Sequence, residues 1–169
     1  MAENKKVYIL IGPKGSGKSY VGTLLEQEFG LKFLRVEPLV IAHIDQHGLP
    51  ESGLNRDGFD IEEAAVHEIL ATEDAVIFEA TGSSIYFSSV LENLSSLYTL
   101  KLIRLHCPLD VCFDRIKNRS PSGHHFVSDE KIRTINQKAA DVVLDWEIEI
   151  DNSGPALNQT IISQFSSLI

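Results

Sequence analysis

Short apolar runs and amphipathic stretches alternate along the chain from end to end. Val7–Ile11 is an unbroken apolar run rich in β-branched residues, which is typical of a strand buried on both faces of a parallel sheet. Trp146–Asp151 alternates instead, with Ile148 and Ile150 on one face, and this predicts a strand nearer the sheet edge. The other predicted strands are Lys32–Val36, Ala75–Phe78 and Leu100–His106.

Helical patterns fill the intervals between these strands. The first helix places Val21, Leu24, Leu25 and Phe29 on one face and ends at Gly30, a residue that suits a C-cap. Further helices are predicted to begin at Pro38, Asp60, after Ser84, at Pro108, at Ser128 and near Leu157. This order of elements predicts an α/β fold of three layers, αβα, with a five-stranded parallel sheet and helices on both faces.

The middle of the chain contains a predicted loop and a predicted helix start. Residues 48–59 hold three Gly and one Pro among polar residues, which favours a loop. Asp60 with Glu63 resembles a capping box, and the helix after it would bury Ile61, Ala65 and Ile69. We therefore expect this helix to begin at Asp60.

Composition and charge narrow the classes of function. A chain of 169 residues favours a single domain over 1–169, and a net charge of −9 makes nucleic acid an unlikely partner, because phosphate backbones require clustered Lys and Arg. No apolar run approaches the eighteen or so residues of a membrane helix, and the N-terminus does not have the pattern of a signal peptide. Cys107 and Cys112 are too few for a disulfide framework. These features predict a cytoplasmic protein without a membrane partner, and they leave its oligomeric state open.

A phosphate-binding motif follows the first predicted strand. It matches G-x-x-x-x-G-K-[ST] with Gly12, Pro13, Lys14, Gly15, Ser16, Gly17, Lys18 and Ser19. The glycines permit a backbone whose N–H groups turn inward, and the next helix adds its N-terminal N–H groups and dipole. We expect Lys18 to bind the β- and γ-phosphates of ATP and the Ser19 hydroxyl to ligate Mg²⁺. The position of the Gly12–Ser19 motif between a predicted buried strand and a predicted amphipathic helix argues against a chance glycine-rich turn.

With this motif, the chain resembles the small P-loop kinases, a group that includes adenylate kinase, shikimate kinase, polynucleotide-kinase-like proteins and zeta-toxin-like kinases. The resemblance extends over the order of strands and helices in nearly the whole chain. After the phosphate-binding motif, its most specific motif is Asp114–Arg119, which looks like the opening of the adenylate kinase lid. It implies a short lid at about residues 119–128, with Arg115 on the adenine face and Arg119 catalytic, on the phosphates. The alternative is a solvated pair of arginines on a helix surface.

The predicted lid has a second, narrower resemblance and a local charge of its own. Gly123–Val127, followed by Asp129–Arg133, resembles the lid of zeta-toxin-like kinases, although Ser128 stands where that lid has a proline. The resemblance implies that His124 or His125 contacts phosphate or substrate; the alternative is that both are exposed. From Phe113 to Ala140 the chain carries a charge of +3, opposite in sign to the whole, which suits a triphosphate ligand.

Two glutamates are candidates for metal and base chemistry. Glu79 comes at the end of the third predicted strand, where many P-loop kinases have a Walker B acid, so we expect it to help hold Mg²⁺. Glu37 follows the second strand, where kinases of this group often have an Asp beside the acceptor hydroxyl, and it is the candidate catalytic base. The alternatives are a strand-end carboxylate for Glu79 and a helix N-terminal acid for Glu37.

Three further residues complete the predicted site. Arg35 and Arg56 are candidates for binding an anionic acceptor, on position and charge alone. In shikimate kinase two Asp are spaced like Arg35 and Glu37, so the resemblance makes shikimate itself an improbable substrate. Asn152 lies in the loop after the last strand, which in related kinases skirts the adenine; the alternative is an ordinary β-to-α turn.

The leading hypothesis is an ATP-dependent kinase that moves the γ-phosphoryl group of ATP, with Mg²⁺, to a hydroxyl or phosphate of a small-molecule acceptor. Phosphoryl transfer requires positioning and charge neutralisation more than covalent chemistry, and Lys18 and the lid arginines supply both. The alternatives are a nucleotide-binding regulatory ATPase, a pseudokinase and a polynucleotide-end kinase. The sequence leaves the acceptor unidentified.

Overall fold

Five parallel strands form one sheet in the computed structural model, which describes residues 5–48, 56–122, 124, 126–155 and 157–169, without the side chains of Arg56 and Asp57. The strands are β1 (Lys6–Ile11), β2 (Lys32–Leu34), β3 (Ala75–Ala80), β4 (Thr99–His106) and β5 (Ile148–Asp151). Their spatial order is β2–β3–β1–β4–β5. The predicted parallel sheet is confirmed, and β5 lies at its edge as its alternating pattern indicates.

Helices cover both faces of this sheet. They are α1 (Lys18–Phe29), α2 (Val36–His47), α3 (Arg56–Leu70), α4 (Phe87–Ser95), α5 (Leu109–Asn118), α6 (Asp129–Ala140) and α7 (Asn158–Ser166). On one face, Val21 and Leu25 of α1 and Phe165 of α7 pack in a core with Tyr8 and Ile103. The other face forms a second core with α3 and α4. The predicted three-layer αβα architecture is therefore confirmed.

Several element ends agree with the sequence signals. Gly30 caps α1 with a φ of 67°, and its N–H donates to the carbonyl of Glu26. Ser128 caps α6, where its side chain accepts a hydrogen bond from the N–H of Lys131. Each signal is local, since the cap bonds to groups within one turn of it.

The start and the buried face of α3 differ from the prediction. The helix begins at Arg56, so Asp60 and Glu63 lie within it and the predicted capping box is wrong. Ile61 is exposed, whereas Val66 and Leu70 are buried against β3. The buried face is thus turned by about one residue, or roughly 100° around the helix. Glu62 and Glu63 are turned inward by the same rotation.

The ends of two other elements, β2 and α5, also differ from the prediction. β2 ends at Leu34 instead of Val36, because Val36 already begins α2. The helix predicted to begin at Pro108 ends at Asn118, so it carries Arg115, whereas Arg119 is its C-cap with an extended backbone. No helix among the described residues is long and apolar enough to cross a membrane.

The register of the sheet brings the predicted motifs to one edge. Ile11, the last residue of β1, pairs with Ala80 of β3 and Arg104 of β4. His106 at the end of β4 pairs with Asp151 at the end of β5. Because all these strands are parallel, the segments that follow them leave the sheet together. This edge is where open α/β sheets bind ligands.

Candidate active site

The segment between β1 and α1 forms a tight loop that requires glycine at two positions. Gly15 has a φ of 84° and Gly17 a φ of 93°, which side chains rarely adopt. A Cβ at Gly15 would come within 2.3 Å of the carbonyl oxygen of Cys112, and one at Gly17 within 2.2 Å of Nδ2 of Asn152. The loop is therefore packed against α5 and the segment after β5.

Lys18 folds over this loop. Its Nζ donates hydrogen bonds of 2.8 Å to the carbonyl oxygens of Gly12 and Pro13. Burial lowers the pKa of Lys18 to about 8, although the charge of Glu79 opposes the shift. A bound anion would favour the protonated ammonium, because an opposite charge stabilises the charged form.

Ser19 and Glu79 meet although sixty positions separate them. The Ser19 hydroxyl lies 2.9 Å and 3.1 Å from the two carboxylate oxygens of Glu79, to which it donates. Hydroxyl and carboxylate oxygens are the ligands that Mg²⁺ prefers, so this donor set fits that ion. The Ser16 hydroxyl in the same loop is buried and has no hydrogen-bond partner among the residues that the structure describes. An unpaired buried hydroxyl beside the glycines fits a loop built to receive a polar ligand.

Arg115 and Asn152 tie the loop to the segment after β5. Arg115 donates to the carbonyl oxygens of Asn152 at 2.7 Å and of Gly15 at 3.4 Å. Asn152 is buried, and its Nδ2 donates to the carbonyl of Ser16 at 2.8 Å. Both residues therefore touch the phosphate loop and the segment that the sequence assigns to the adenine. Their contact with adenine stays a prediction.

Asn136 is a site residue that the sequence analysis missed. It is buried on α6, where its Oδ1 accepts from the N–H of Lys14 at 2.8 Å. Its Nδ2 donates to the carbonyl of Lys14 at 2.9 Å. A signal was present, because Asn136 occupies the helical stripe of the buried residues Ile132 and Ala139. A polar residue in such a stripe indicates a specific partner.

Glu37 and His124 are in contact although 87 positions separate them. Glu37 lies in the first turn of α2, and one of its carboxylate oxygens is 2.9 Å from Nδ1 of His124. The negative charge of Glu37 also acts on Lys14 and Lys18. The structure thus places the predicted base beside the predicted phosphate ligands. His125 lies outside the described residues.

The predicted arginines have different surroundings. Arg119 is half-buried, its positive charge acts on Lys14, and its guanidinium has no hydrogen bond or ion pair within the described residues. Arg35 points to α1 instead, where it forms an ion pair of 2.9 Å with Glu26. Arg35 therefore has a partner for its positive charge when no acceptor is bound. The side chain of Arg56 lies outside the described part of the chain.

A second pair of glutamates was also missed. Glu62 on α3 is 7% exposed, and no hydrogen bond or ion pair to it is found in the part of the chain that the structure describes. Burial, together with the charges of Glu79 and Glu63, raises the pKa of Glu62 to about 8. Glu63 accepts hydrogen bonds from Nδ2 of Asn93 on α4. Because acidic residues normally mark the exposed side of a helix, hydrophobic periodicity gives no signal for this arrangement.

Solved structures with this fold include several kinases. A gluconokinase from Sinorhizobium meliloti is 20% identical, with a TM-score of 0.65 over 99% of this chain and 95% of that one. A shikimate kinase from Acinetobacter baumannii is also 20% identical, with a TM-score of 0.61 over 98% of this chain and 96% of that one. A candidate kinase from Chloroflexus aurantiacus is 17% identical, with a TM-score of 0.74 over 98% and 99% of the two chains.

No protein-family model and no curated protein matches the chain. The identity to the solved structures is low, but the likeness extends over almost all of each chain. It agrees with the strand order, the glycine-rich loop after β1 and the site at the carboxyl ends of the strands. The chain therefore has the fold of the small P-loop kinases.

Proposed function

We propose that the protein is an ATP-dependent kinase that transfers the γ-phosphoryl group of ATP to a hydroxyl or phosphate group of a small molecule. The observation that carries this proposal is the contact between Ser19 and Glu79 beside the partly buried Lys18. This arrangement brings together the Lys18 ammonium, which can bind phosphate, and the oxygens of Ser19 and Glu79, which can bind Mg²⁺, at the carboxyl edge of the sheet. The contact of Glu37 with His124 adds a carboxylate on the acceptor side.

Each part of the site has a distinct task in this proposal. Gly12–Ser19 surrounds the phosphates of ATP, and Ser19 with Glu79 holds Mg²⁺, which when bound neutralises charge on the phosphate oxygens. Arg115 and Asn152 fix the loop that faces the adenine. Arg119, at the start of the lid segment (residues 119–128), supplies a positive charge to the phosphates.

Glu37 is the catalytic base in this proposal. A carboxylate that accepts the proton of the acceptor hydroxyl must lie on the far side of the transferring phosphoryl group from the phosphate loop. Glu37 lies on α2, outside the loop, and its charge reaches Lys14 and Lys18. His124 orients the carboxylate by hydrogen bonding to one of its oxygens.

The test is a screen of small hydroxyl compounds with Mg-ATP that follows ADP release and identifies the phosphorylated product. We expect at least one acceptor to accelerate ADP release, and the Lys18→Ala variant to abolish this release. ADP release at one constant rate with every compound would instead identify a regulatory ATPase. Nucleotide binding without any ADP release would identify a pseudokinase.

A further inference from the structure

Lys14 is held differently from the other residues of the phosphate loop. Both polar groups of its backbone are bonded to Asn136, the N–H at 2.8 Å and the carbonyl at 2.9 Å. Asn136 is 2% exposed, so this clamp is shielded from water. The N–H of residue 14 is therefore not available to a phosphate, and whatever Lys14 contributes to the site comes from its side chain.

The side chain of Lys14 lies among charges from several elements. The charges that act on it are Glu37 on α2, Glu79 on β3, Arg119 at the end of α5 and Lys131 on α6. Its ammonium has no hydrogen bond or ion pair within the described residues. Burial lowers the pKa of Lys14 despite the two glutamates. By contrast, Lys18 already bonds to two carbonyl oxygens of the loop.

We propose that Lys14 is a second catalytic lysine, which binds the transferring γ-phosphoryl group from the side of the acceptor. This inference rests on the proposed kinase function. It follows from the place of Lys14 in the phosphate loop, from the two hydrogen bonds that fix its backbone, and from an ammonium that has no partner within the described residues. Asn136 is its positioning residue, because it fixes the backbone from which the lysine extends.

The chemistry of phosphoryl transfer explains the need for such a cation. Negative charge on the transferring group is redistributed in the transition state, and a preorganised cation stabilises that state without reorganisation. A lysine on a clamped peptide unit meets this requirement better than one on a mobile loop. Lys14 would thus contribute to the transition state more than to the binding of ADP.

The experiment compares the binding of Mg-ADP with and without aluminium fluoride, by titration calorimetry, so that no acceptor is needed. Aluminium fluoride mimics the transferring phosphoryl group and should tighten ADP binding to the unchanged protein. Lys14→Met should reduce this tightening by about 100-fold, while its affinity for Mg-ADP alone stays within about threefold of the original. Lys14→Arg should restore part of the loss, because it keeps the charge.

Controls separate this inference from the proposed function. Lys138→Met removes an exposed lysine of α6 and should behave as the unchanged protein. Full tightening in Lys14→Met, with loss of tightening in Lys18→Ala, would overturn the role of Lys14 and leave the kinase proposal standing. No tightening in the unchanged protein would count against the kinase proposal itself.

Asn136 provides an independent measurement. Asn136→Ala removes the clamp and should reduce the aluminium fluoride effect in the same direction as Lys14→Met. Asn93→Ala, which removes the hydrogen bonds of an exposed asparagine to Glu63 between α3 and α4, is the control for the loss of a side-chain amide that joins two helices. If both variants lose thermal stability and neither loses the tightening, Asn136 supports the fold and does not position Lys14.

Discussion

A ring nitrogen of His124 lies 2.9 Å from a carboxylate oxygen of Glu37, and this contact joins the lid segment to the first turn of α2. The two residues are 87 positions apart and come from two different parts of the fold, α2 and the segment between α5 and α6. The proposed base is therefore oriented by the segment that would cover the acceptor. One movement of the lid segment can thus both cover the acceptor and orient Glu37. This would limit transfer of the phosphoryl group to water.

The first prediction concerns Glu37. Glu37→Gln keeps the shape of the side chain but cannot accept the proton of the acceptor, so kcat should fall by about 100-fold or more. Binding of ATP should change little, because Glu37 lies on the acceptor side. Steady-state kinetics with the acceptor from the screen, together with calorimetry for a non-hydrolysable ATP analogue, measure the two effects. Glu28→Gln, an exposed carboxylate on α1, is the control, and equal kcat in the two variants would contradict the assignment.

The second prediction concerns the pair Ser19 and Glu79. Glu79→Gln removes a negative oxygen ligand, so the concentration of Mg²⁺ that gives half-maximal activity should rise by about tenfold. Ser19→Ala should raise this Mg²⁺ concentration as well. In the double variant the increase should be smaller than the two single increases combined, because both residues bind the same ion. Titration of activity with Mg²⁺ at fixed ATP gives these values. An unchanged Mg²⁺ dependence in both single variants would mean that the metal lies elsewhere.

The third prediction concerns Glu62 and pH. Its pKa is about 8 in the folded protein and near 4.5 in the unfolded chain, so the folded state keeps a proton that the unfolded state releases. The stability of the protein therefore falls as pH rises from about 4.5 to about 8. Glu62→Gln has no carboxyl group to titrate at this position, so this pH dependence of stability disappears. The free energy of unfolding of the variant should exceed that of the unchanged protein by a few kcal/mol at pH 8, with roughly 5 kcal/mol as the upper bound.

Melting temperatures at pH 5 and pH 8.5, without nucleotide, measure this effect. Glu68→Gln is the control, because Glu68 is exposed on the same helix. We expect Glu68→Gln to differ equally from the unchanged protein at both pH values. The same behaviour in Glu62→Gln would show that the carboxyl group of Glu62 is solvated in the folded protein.

The fourth prediction distinguishes the two arginines. Arg115→Ala removes hydrogen bonds to Gly15 and Asn152, so it should lower the free energy of unfolding by about 1–3 kcal/mol and weaken ATP binding. Arg119→Ala breaks no hydrogen bond within the described residues, so stability should not change. Its kcat should fall by about 100-fold, because the lost charge acts on the phosphates. Thermal melts and steady-state kinetics of both variants test this, and a stability loss in Arg119→Ala would contradict it.

The part of the site that follows strand ends was predictable from the sequence. Gly12–Ser19 has a local signature, and its glycines are required by contacts that the structure shows at Gly15 and Gly17. The meeting of Ser19 with Glu79 followed from one rule, that the carboxyl ends of parallel strands lie at one edge. Backbone topology alone decides which strand ends come together in this way.

Side-chain partners were not predictable in the same way. Arg35 is a candidate on position and charge, and no sequence pattern indicated its ion pair with Glu26 on α1; its contact with an acceptor stays a prediction. Glu62 and Glu63 are buried on α3, and a pattern of apolar residues cannot indicate a buried carboxyl group. The start of α3 was misplaced because Gly58 indicates a loop, although the helix contains it. In each case a tertiary contact outweighed the local preference.

The clamp at Lys14 has a consequence for how this molecule could acquire new substrates. Asn136 on α6 holds Lys14, and Arg115 on α5 holds Gly15, so the two helices that flank the lid segment are anchored to consecutive residues of the phosphate loop. Changes of sequence or length between these anchors would leave the loop in place. Recognition of the acceptor could thus diverge while the phosphate loop keeps its shape, and exchange of the lid segment between related chains, with Arg119 retained, becomes a route to altered specificity.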